Sequence, residues 1–438
     1  MVAILLIGCS GGGDKTDGQK DGETTDKRNE LELSFDSSLS GEITFWTWVG
    51  DMFEEIIPDF NKVYPNIKVN VIGMDFNSVH EKLQTTLAAG SGAPDLTHIG
   101  IGEIPRFNSE LLEDLLQPPY NAGRYQEDVY PFMWEVGKSA NGKQLLALPW
   151  DITPGVFYYR ADIYEQMGLP TDPDELGEYL QDPDNVLTAA QTLAANDMYM
   201  YEWADSPVNH YGDEIGYFDN DYKWVRNNEK MAQMLDFTKK GGQVGWAPHV
   251  GFNSDEGKQL IKQGKLVSFP LGSWGANELE IQFQEQSGKW QVTTMPFGIY
   301  PSQGGSAFAI PAQSKNKEAA WAFAEWFNRA EESWKVFTDH SLAPAWKHIS
   351  ALPWYQEYES EFLSGQQIYK MYDKVANLIP IRRMTILDGP AWSIYLETVA
   401  EGIENNIDSK VILQQVETNI YRQLEADIEK LKQEEGKS

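Results

Sequence analysis

The chain has 438 residues and sets 35 Lys and Arg against 66 Asp and Glu, a net charge of −31 with His neutral. Such acidity argues against a nucleic-acid partner, whose phosphates it would repel, and against charge-driven docking on an anionic membrane surface. A hydrophobic share of 41% can fill a sizeable core, and the length suits two or three domains.

Cys9 stands alone, so an intramolecular disulfide and a cysteine-based zinc site are both excluded. The His residues at 80, 98, 210, 249, 340 and 348 are scattered, without HExxH or HxH spacing. A metal enzyme is poorly supported, which leaves only carboxylate calcium sites open.

Residues 1–8 form an apolar run too short to span a bilayer as a helix. The run ends in Leu6-Ile7-Gly8-Cys9, followed by Ser10-Gly11-Gly12-Gly13, and resembles a bacterial lipobox. The basic n-region of a signal peptide is missing, so residues 1–9 read as a truncated signal with Cys9 as the lipidation site. Lipid chains there would tether the protein outside the cytoplasmic membrane, firmly only if several are attached. Residues 10–40 are rich in Gly, Asp, Lys, Thr, Ser and Glu and cannot bury enough apolar surface to fold. They read as a leash with a root-mean-square reach of roughly 30 Å.

Folding is expected from Gly41. Glu42–Val49 alternates, with Ile43, Phe45, Thr47 and Val49 on one face and Thr44, Trp46 and Trp48 on the other. A helix follows with Met52, Ile56, Phe60 and Val63 at helical spacing, then a strand over 67–72. Ser78-Val79-His80-Glu81 reads as a capping box opening a helix with Val79, Leu83 and Leu87 on one stripe, closed by Gly90. Residues 96–100 read as a third strand. Alternating strands and helices imply parallel sheet, in which ligands gather beyond the strands' carboxyl ends. The residues after Val49, Ile72 and Ile99 are therefore candidates for a site.

Further on, 145–149 and 156–159 read as extended, 171–240 as mixed helix and loop, and 266–269 and 290–295 as strands. Asn316 can cap a helix with Ala320, Phe323, Ala324 and Phe327 on its stripe. Val416, Ile420, Leu424, Ile428 and Leu431 keep one apolar face at the end of the chain. No repeat of fixed period is present.

Several segments then occur in a telling order. Lys82-Leu83, Ala88-Ala89-Gly90 and Ala93-Pro94-Asp95-Leu96 come first. Tyr130-Pro131-Phe132, Asn141-Gly142-Lys143 and Leu148-Pro149 follow, then Phe157-Tyr158-Tyr159-Arg160. Leu271-Gly272-Ser273-Trp274, Gly304-Gly305, Ile310-Pro311 and Ser314–Trp321 complete the series. From about residue 42 onward this order resembles the family 1 extracellular solute-binding proteins, which include the maltose-binding protein. Two departures stand out: Arg160 occupies a position where the family usually has Asn, and 170–176 lacks the family's Trp.

The resemblance implies an α/β fold of the two-lobed, type II periplasmic-binding-protein class, each lobe a mixed sheet flanked by helices. One lobe would comprise 41–151 and 305–345, the other 152–304 and 346–438, joined by hinge crossovers. Closure around a ligand would be a hinge motion. It also implies a carbohydrate ligand held in the interlobe cleft, delivery to ABC permease subunits, no cofactor, no catalysis and a monomer. Aromatic faces would stack on sugar C–H faces while polar side chains bond the hydroxyls. The candidates are Trp46 and Trp48 at the first strand's tip, Gly102 and Glu103 after the third, Trp150, Asp151 and Thr153 at the first crossover, Trp274, and Trp392. Trp321, Trp326 and Trp334 read as core, Asp95 as a structural cap or pair, and Glu81 as part of its capping box. Two other readings share the exported, aromatic-rich character: a secreted glycan hydrolase, which needs two carboxylates at a fixed separation, and a lipoprotein adhesin with no hinge. The chain has no GxxxxGK[ST] loop, so an ATPase is not part of it.

Overall fold

The computed structural model describes residues 36–107 and 109–435. The expected lipidation site Cys9 and nearly all of the leash lie outside them.

The described strands are β1 (Gly41–Thr47), β2 (Ile67–Gly73), β3 (Leu96–Gly100), β4 (Leu148–Pro154), β5 (Val156–Arg160), β6 (Ser268–Leu271), β7 (Trp290–Thr294), β8 (Ser302–Ala309) and β9 (Ala343–Pro344). They form a six-stranded sheet, ordered β2-β1-β3-β8-β4-β9, and a three-stranded sheet, ordered β6-β5-β7. In the first sheet β1 runs parallel to β2 and β3, while β8 is antiparallel to β3 and β4. The second is antiparallel throughout.

The chain passes between the sheets at Gly155 and returns before Ser302. Gly155 donates its backbone N–H to the Pro301 carbonyl at 2.9 Å, tying one passage to the other. A Cβ on Gly155 would stand 2.9 Å from that oxygen, so the approach requires glycine. The expected lobe boundaries fall three residues inside the first sheet's ladder, because β4 and β8 keep pairing to Pro154 and Ser302.

Two helices differ in detail from the sequence pattern. In α1 (Gly50–Val63) the buried stripe is Phe53, Ile56 and Phe60, continued by Tyr64, rather than one beginning at Met52. Met52 instead turns toward a cavity. α2 (Phe76–Ala88) starts ahead of the expected capping box, because Asp75 is its N-cap. The Asp75 carboxylate accepts from the Ser78 N–H at 3.0 Å and from its hydroxyl at 2.5 Å. Those two bonds hold the Asp75 carboxyl below its ordinary pKa. Val79, Leu83 and Leu87 are buried as the pattern requires.

The first sheet's core is aromatic. Phe45 meets Phe53 edge-on at 4.9 Å and Phe323 at 5.6 Å. Asp95 clasps this lobe: it accepts from the Thr44 N–H at 3.0 Å, the Ser314 hydroxyl at 2.7 Å and the Asn316 amide at 3.2 Å. Asn316 thus sits at the start of the Lys317–Arg329 helix but spends its side chain on Asp95 rather than on a cap. Trp321, Trp326 and Trp334 are buried. The second sheet packs under the Glu229–Val244, Asp388–Glu404 and Ser409–Glu434 helices, with Phe157, Leu235, Tyr395, Val416 and Ile420 in one core.

Candidate functional site

Where the two passages cross, a cavity of about 420 Å³ opens beyond the carboxyl ends of β1 and β3. Trp48, Phe76 and Gly102 line it from the first sheet's side, Trp274, Asn277 and Glu278 from the second's, and Asp151, Thr153 and Gln303 to Ser306 from β4 and β8, the strands that flank the passages.

Trp48 lies flat on His98, with ring centroids 3.7 Å apart and planes 6° apart. His98 is fully buried, and burial pushes its pKa well below the usual value, so the ring is neutral. Its neighbours assign the tautomer. Ser306 gives its one hydroxyl proton to Asp151, so at His98 it accepts, from Nε2–H at 2.6 Å. Nδ1 is then bare and accepts from the Thr47 hydroxyl at 3.1 Å, which itself accepts from the Val49 N–H at 3.2 Å. The second histidine of this corner, His80, is locked likewise: Nδ1–H donates to the Phe76 carbonyl at 2.7 Å and Nε2 accepts from the Gly100 N–H at 3.1 Å. Burial lowers its pKa as well. A polar relay inside the lobe therefore fixes the platform under an indole that faces the cavity.

Asp151 ends that relay. Burial raises its carboxyl from 3.8 to about 6, against the lowering pull of its Ser306 bonds. Thr153 lines the cavity with a buried hydroxyl that has no hydrogen-bond partner among the described residues. The buried Trp150 also lines the cavity, packed edge-on against His98 at 4.8 Å, and its indole N–H has no hydrogen-bond partner among the described residues. Gly304 and Gly305 hold φ of +123° and +118°, which side chains rarely adopt; a Cβ on Gly304 would stand 3.0 Å from Thr153 Oγ1. Trp274 is half-buried at the head of the Gly275–Gln282 helix, 6.3 Å from Phe252.

Three expected residues stand elsewhere. Trp46 shares the Trp48 face of β1 but lies two residues back from the tip, where the Lys82 ammonium of α2 covers it at 4.3 Å. Glu103 turns to Arg106 at 2.7 Å within a short 3₁₀ turn instead of facing the cavity. Trp392 lines a second cavity, of about 480 Å³, with His210, Asp213 and Asp388. The two cavities adjoin through His210, whose Nδ1 lies 3.3 Å from the Gln303 amide nitrogen.

The second cavity is charged beneath its surface. Arg226 is fully buried; it donates to the Gly216 carbonyl at 2.8 Å, and its guanidinium carbon lies 3.7 Å from the Tyr217 ring centre. Burial works to raise Asp213, but His210, Arg226 and Arg382 outweigh it and hold the carboxyl below its ordinary range. At Asp388 burial wins and the carboxyl is raised. Trp392 stacks on Tyr395 at 5.6 Å and 15°.

Sequence reasoning missed His98, Phe76, Asn277, Glu278, Gln303 and Ser306. Phe76 and the 100–102 segment do obey the strand-end rule, whereas His98 points inward from within β3, where no pattern separates it from core. Gln303 directly precedes the Gly304-Gly305 pair that marks the return passage.

A family model for bacterial extracellular solute-binding proteins matches residues 55–362. An arabinooligosaccharide-binding protein of Bacillus subtilis is 25% identical over 352 residues, covering 76% of this chain and 75% of its own length. A mannitol-binding protein of Pseudomonas aeruginosa is 27% identical over 296 residues, covering 61% of this chain and 63% of its own. Among solved structures, an extracellular solute-binding protein of family 1 superposes with TM-score 0.76 at 19% identity, covering 87% of this chain and 99% of its own. The galacto-N-biose/lacto-N-biose I-binding protein of a Bifidobacterium longum ABC transporter gives 0.70 at 23%, covering 88% and 97%. The fold is thus the two-lobed, type II periplasmic-binding-protein fold, and the chain belongs to the bacterial extracellular solute-binding proteins.

Proposed function

We propose that this chain captures a carbohydrate between its two lobes and hands it, unaltered, to the membrane permease of an ABC importer. The observation that carries the reading is one cavity holding both Trp48 and Trp274, with Asp151 and Gln303 beside them. Indole faces suit the C–H faces of sugar rings, and carboxylate and amide groups suit their hydroxyl rims. The names of the arabinooligosaccharide- and mannitol-binding relatives support a sugar or polyol over other solutes. Little positive charge lines the cavity, which favours a neutral ligand over an anion.

In this reading one lobe comprises the first sheet and the other the second, and the passages at Gly155 and Met295–Ser302 bend as the hinge. Ligand contacts from both lobes select the closed state, which docks one lobe on each permease subunit. Lipid chains on Cys9 hold the monomer at the outer face of the cell membrane. Calorimetry against saccharides tests the ligand class: micromolar affinity, about −8 kcal/mol, is expected for one of them. Absence of heat from every saccharide and polyol would remove the proposal. Chromatography of the recovered ligand showing cleavage would replace it with a hydrolase.

A further inference from the structure

A third cavity, of about 690 Å³, lies between the Glu229–Val244 and Asp388–Glu404 helices. Trp203, Asp205 and Asn209 line it and the Trp392 cavity alike, so the two share a wall. Leu396, Val399 and Ile403 give it an aliphatic flank at helical spacing. Thr238, 3% exposed, also lines it, and its hydroxyl has no hydrogen-bond partner among the described residues. A buried hydroxyl left unpaired is costly, which marks a place for an incoming polar group. Trp203 stands at the boundary with 45% of its surface exposed, an unusual position for an indole unless something covers it.

We propose that this third cavity is a distal subsite for the remote residues of an oligosaccharide whose near end occupies the cleft. The inference rests on the carbohydrate reading above and adds chain length to it. The path runs from Trp274 and Gln303, past the His210 contact, along Trp392 and over Trp203. The aliphatic flank takes a ring's C–H face. The Thr238 hydroxyl and the Asn209 and Asp205 side chains take its hydroxyls.

Gly242 offers a clean test. It lines the cavity, and a Cβ built on it meets nothing within 4 Å, so a side chain can start there without a clash and Gly242→Phe adds a ring at the cavity wall. Thr238→Val is the second variant; it removes only the unpaired hydroxyl, and its melting temperature should match or exceed the parent's. The full chain is titrated calorimetrically with arabino- and malto-oligosaccharide ladders from disaccharide upward. The parent should gain at least about fivefold in affinity once the ligand is long enough to pass Trp203. Gly242→Phe should erase that gain and leave the short members within about twofold, and Thr238→Val should weaken only the long ones. A parent that binds long and short members equally, or variants that keep the gain, overturn the distal subsite alone. Failure of every ladder member to bind the parent overturns the oligosaccharide subsite, and the carbohydrate reading falls too only if the wider series of saccharides and polyols also gives no heat.

Discussion

The Trp48 indole and the His98 imidazole lie face to face, 3.7 Å between centroids and 6° between planes. Because Thr47 and Ser306 hold both His98 nitrogens, the indole rests on a support that cannot rotate. His98→Ala should lower ligand affinity about tenfold by freeing Trp48, and should destabilise the fold by about 2–4 kcal/mol through the cavity it leaves. His98→Phe keeps a flat ring and should lose less affinity. Calorimetry and thermal melting of the pair check this; equal affinity loss in both variants would show that stacking is not what matters.

Asp151 gives a pH dependence of definite sign. Its carboxyl is raised from 3.8 to about 6, so the folded, unliganded protein binds that proton more tightly than the unfolded chain does. Its contribution favours the fold below about pH 4 and is lost as pH rises through 6, a penalty of about 3 kcal/mol at neutral pH. A ligand hydroxyl needs the carboxylate as acceptor, so affinity should fall as pH drops below 6. Asp151→Asn should raise the melting temperature at pH 7 and weaken binding. It should also flatten the profile, which separates Asp151 from Glu278 and His340 in the same cavity.

Among the described residues, Trp274 is the one indole that lines the cavity from the second sheet's side. Trp274→Ala should weaken binding at least about tenfold with little change in stability, since the ring is only half-buried. Unchanged affinity for the true ligand would remove it from the site.

Gly304→Ala should cost about 1–3 kcal/mol, because φ of +123° is foreign to alanine and its Cβ would crowd Thr153. Gly304 lies two residues past the proposed hinge passage, so solution scattering should also show the ligand-induced compaction altered. A variant with unchanged melting temperature and compaction would show that the position tolerates a side chain.

Asp95→Ala should destabilise the protein by about 2–4 kcal/mol, since it leaves the Thr44 N–H and the Ser314 and Asn316 donors without their acceptor. Ligand affinity of the folded fraction should hold. A stability loss under about 0.5 kcal/mol would show that water replaces the carboxylate there.

Much of this architecture was legible along the chain, for local reasons. The short-range signals match the structure best: the Val79, Leu83 and Leu87 stripe is buried, the last helix buries Val416, Ile420, Leu424 and Ile428 while Leu431 stays half-buried, and β1 buries Ile43, Phe45 and Thr47, although Trp46 on its other face is buried too. Detail failed where contacts are long-range. Asp75 rather than Ser78 caps α2, although both suit the role, because the carboxylate reaches two Ser78 donors at once. Strand alternation places Trp46 and Trp48 together but is silent on α2, whose Lys82 covers one of them. Trp392 reaches a second cavity that meets the cleft where His210 approaches Gln303, residues far apart in sequence. The role of His98 depends on Ser306, 208 positions away.

The insertion of β8 between β3 and β4 has a consequence for how the molecule comes into being. Until residue 309 has emerged from the ribosome, both of those strands present open edges with backbone groups awaiting a partner. Everything between β4 and β8, the second sheet included, must be synthesised first, so the N-terminal half cannot mature on its own. Such wide separation slows assembly and leaves the nascent polypeptide pliable for longer. A chain in that state suits passage through a narrow translocation pore, and a fragment ending before Ser302 should aggregate rather than persist as a half-molecule.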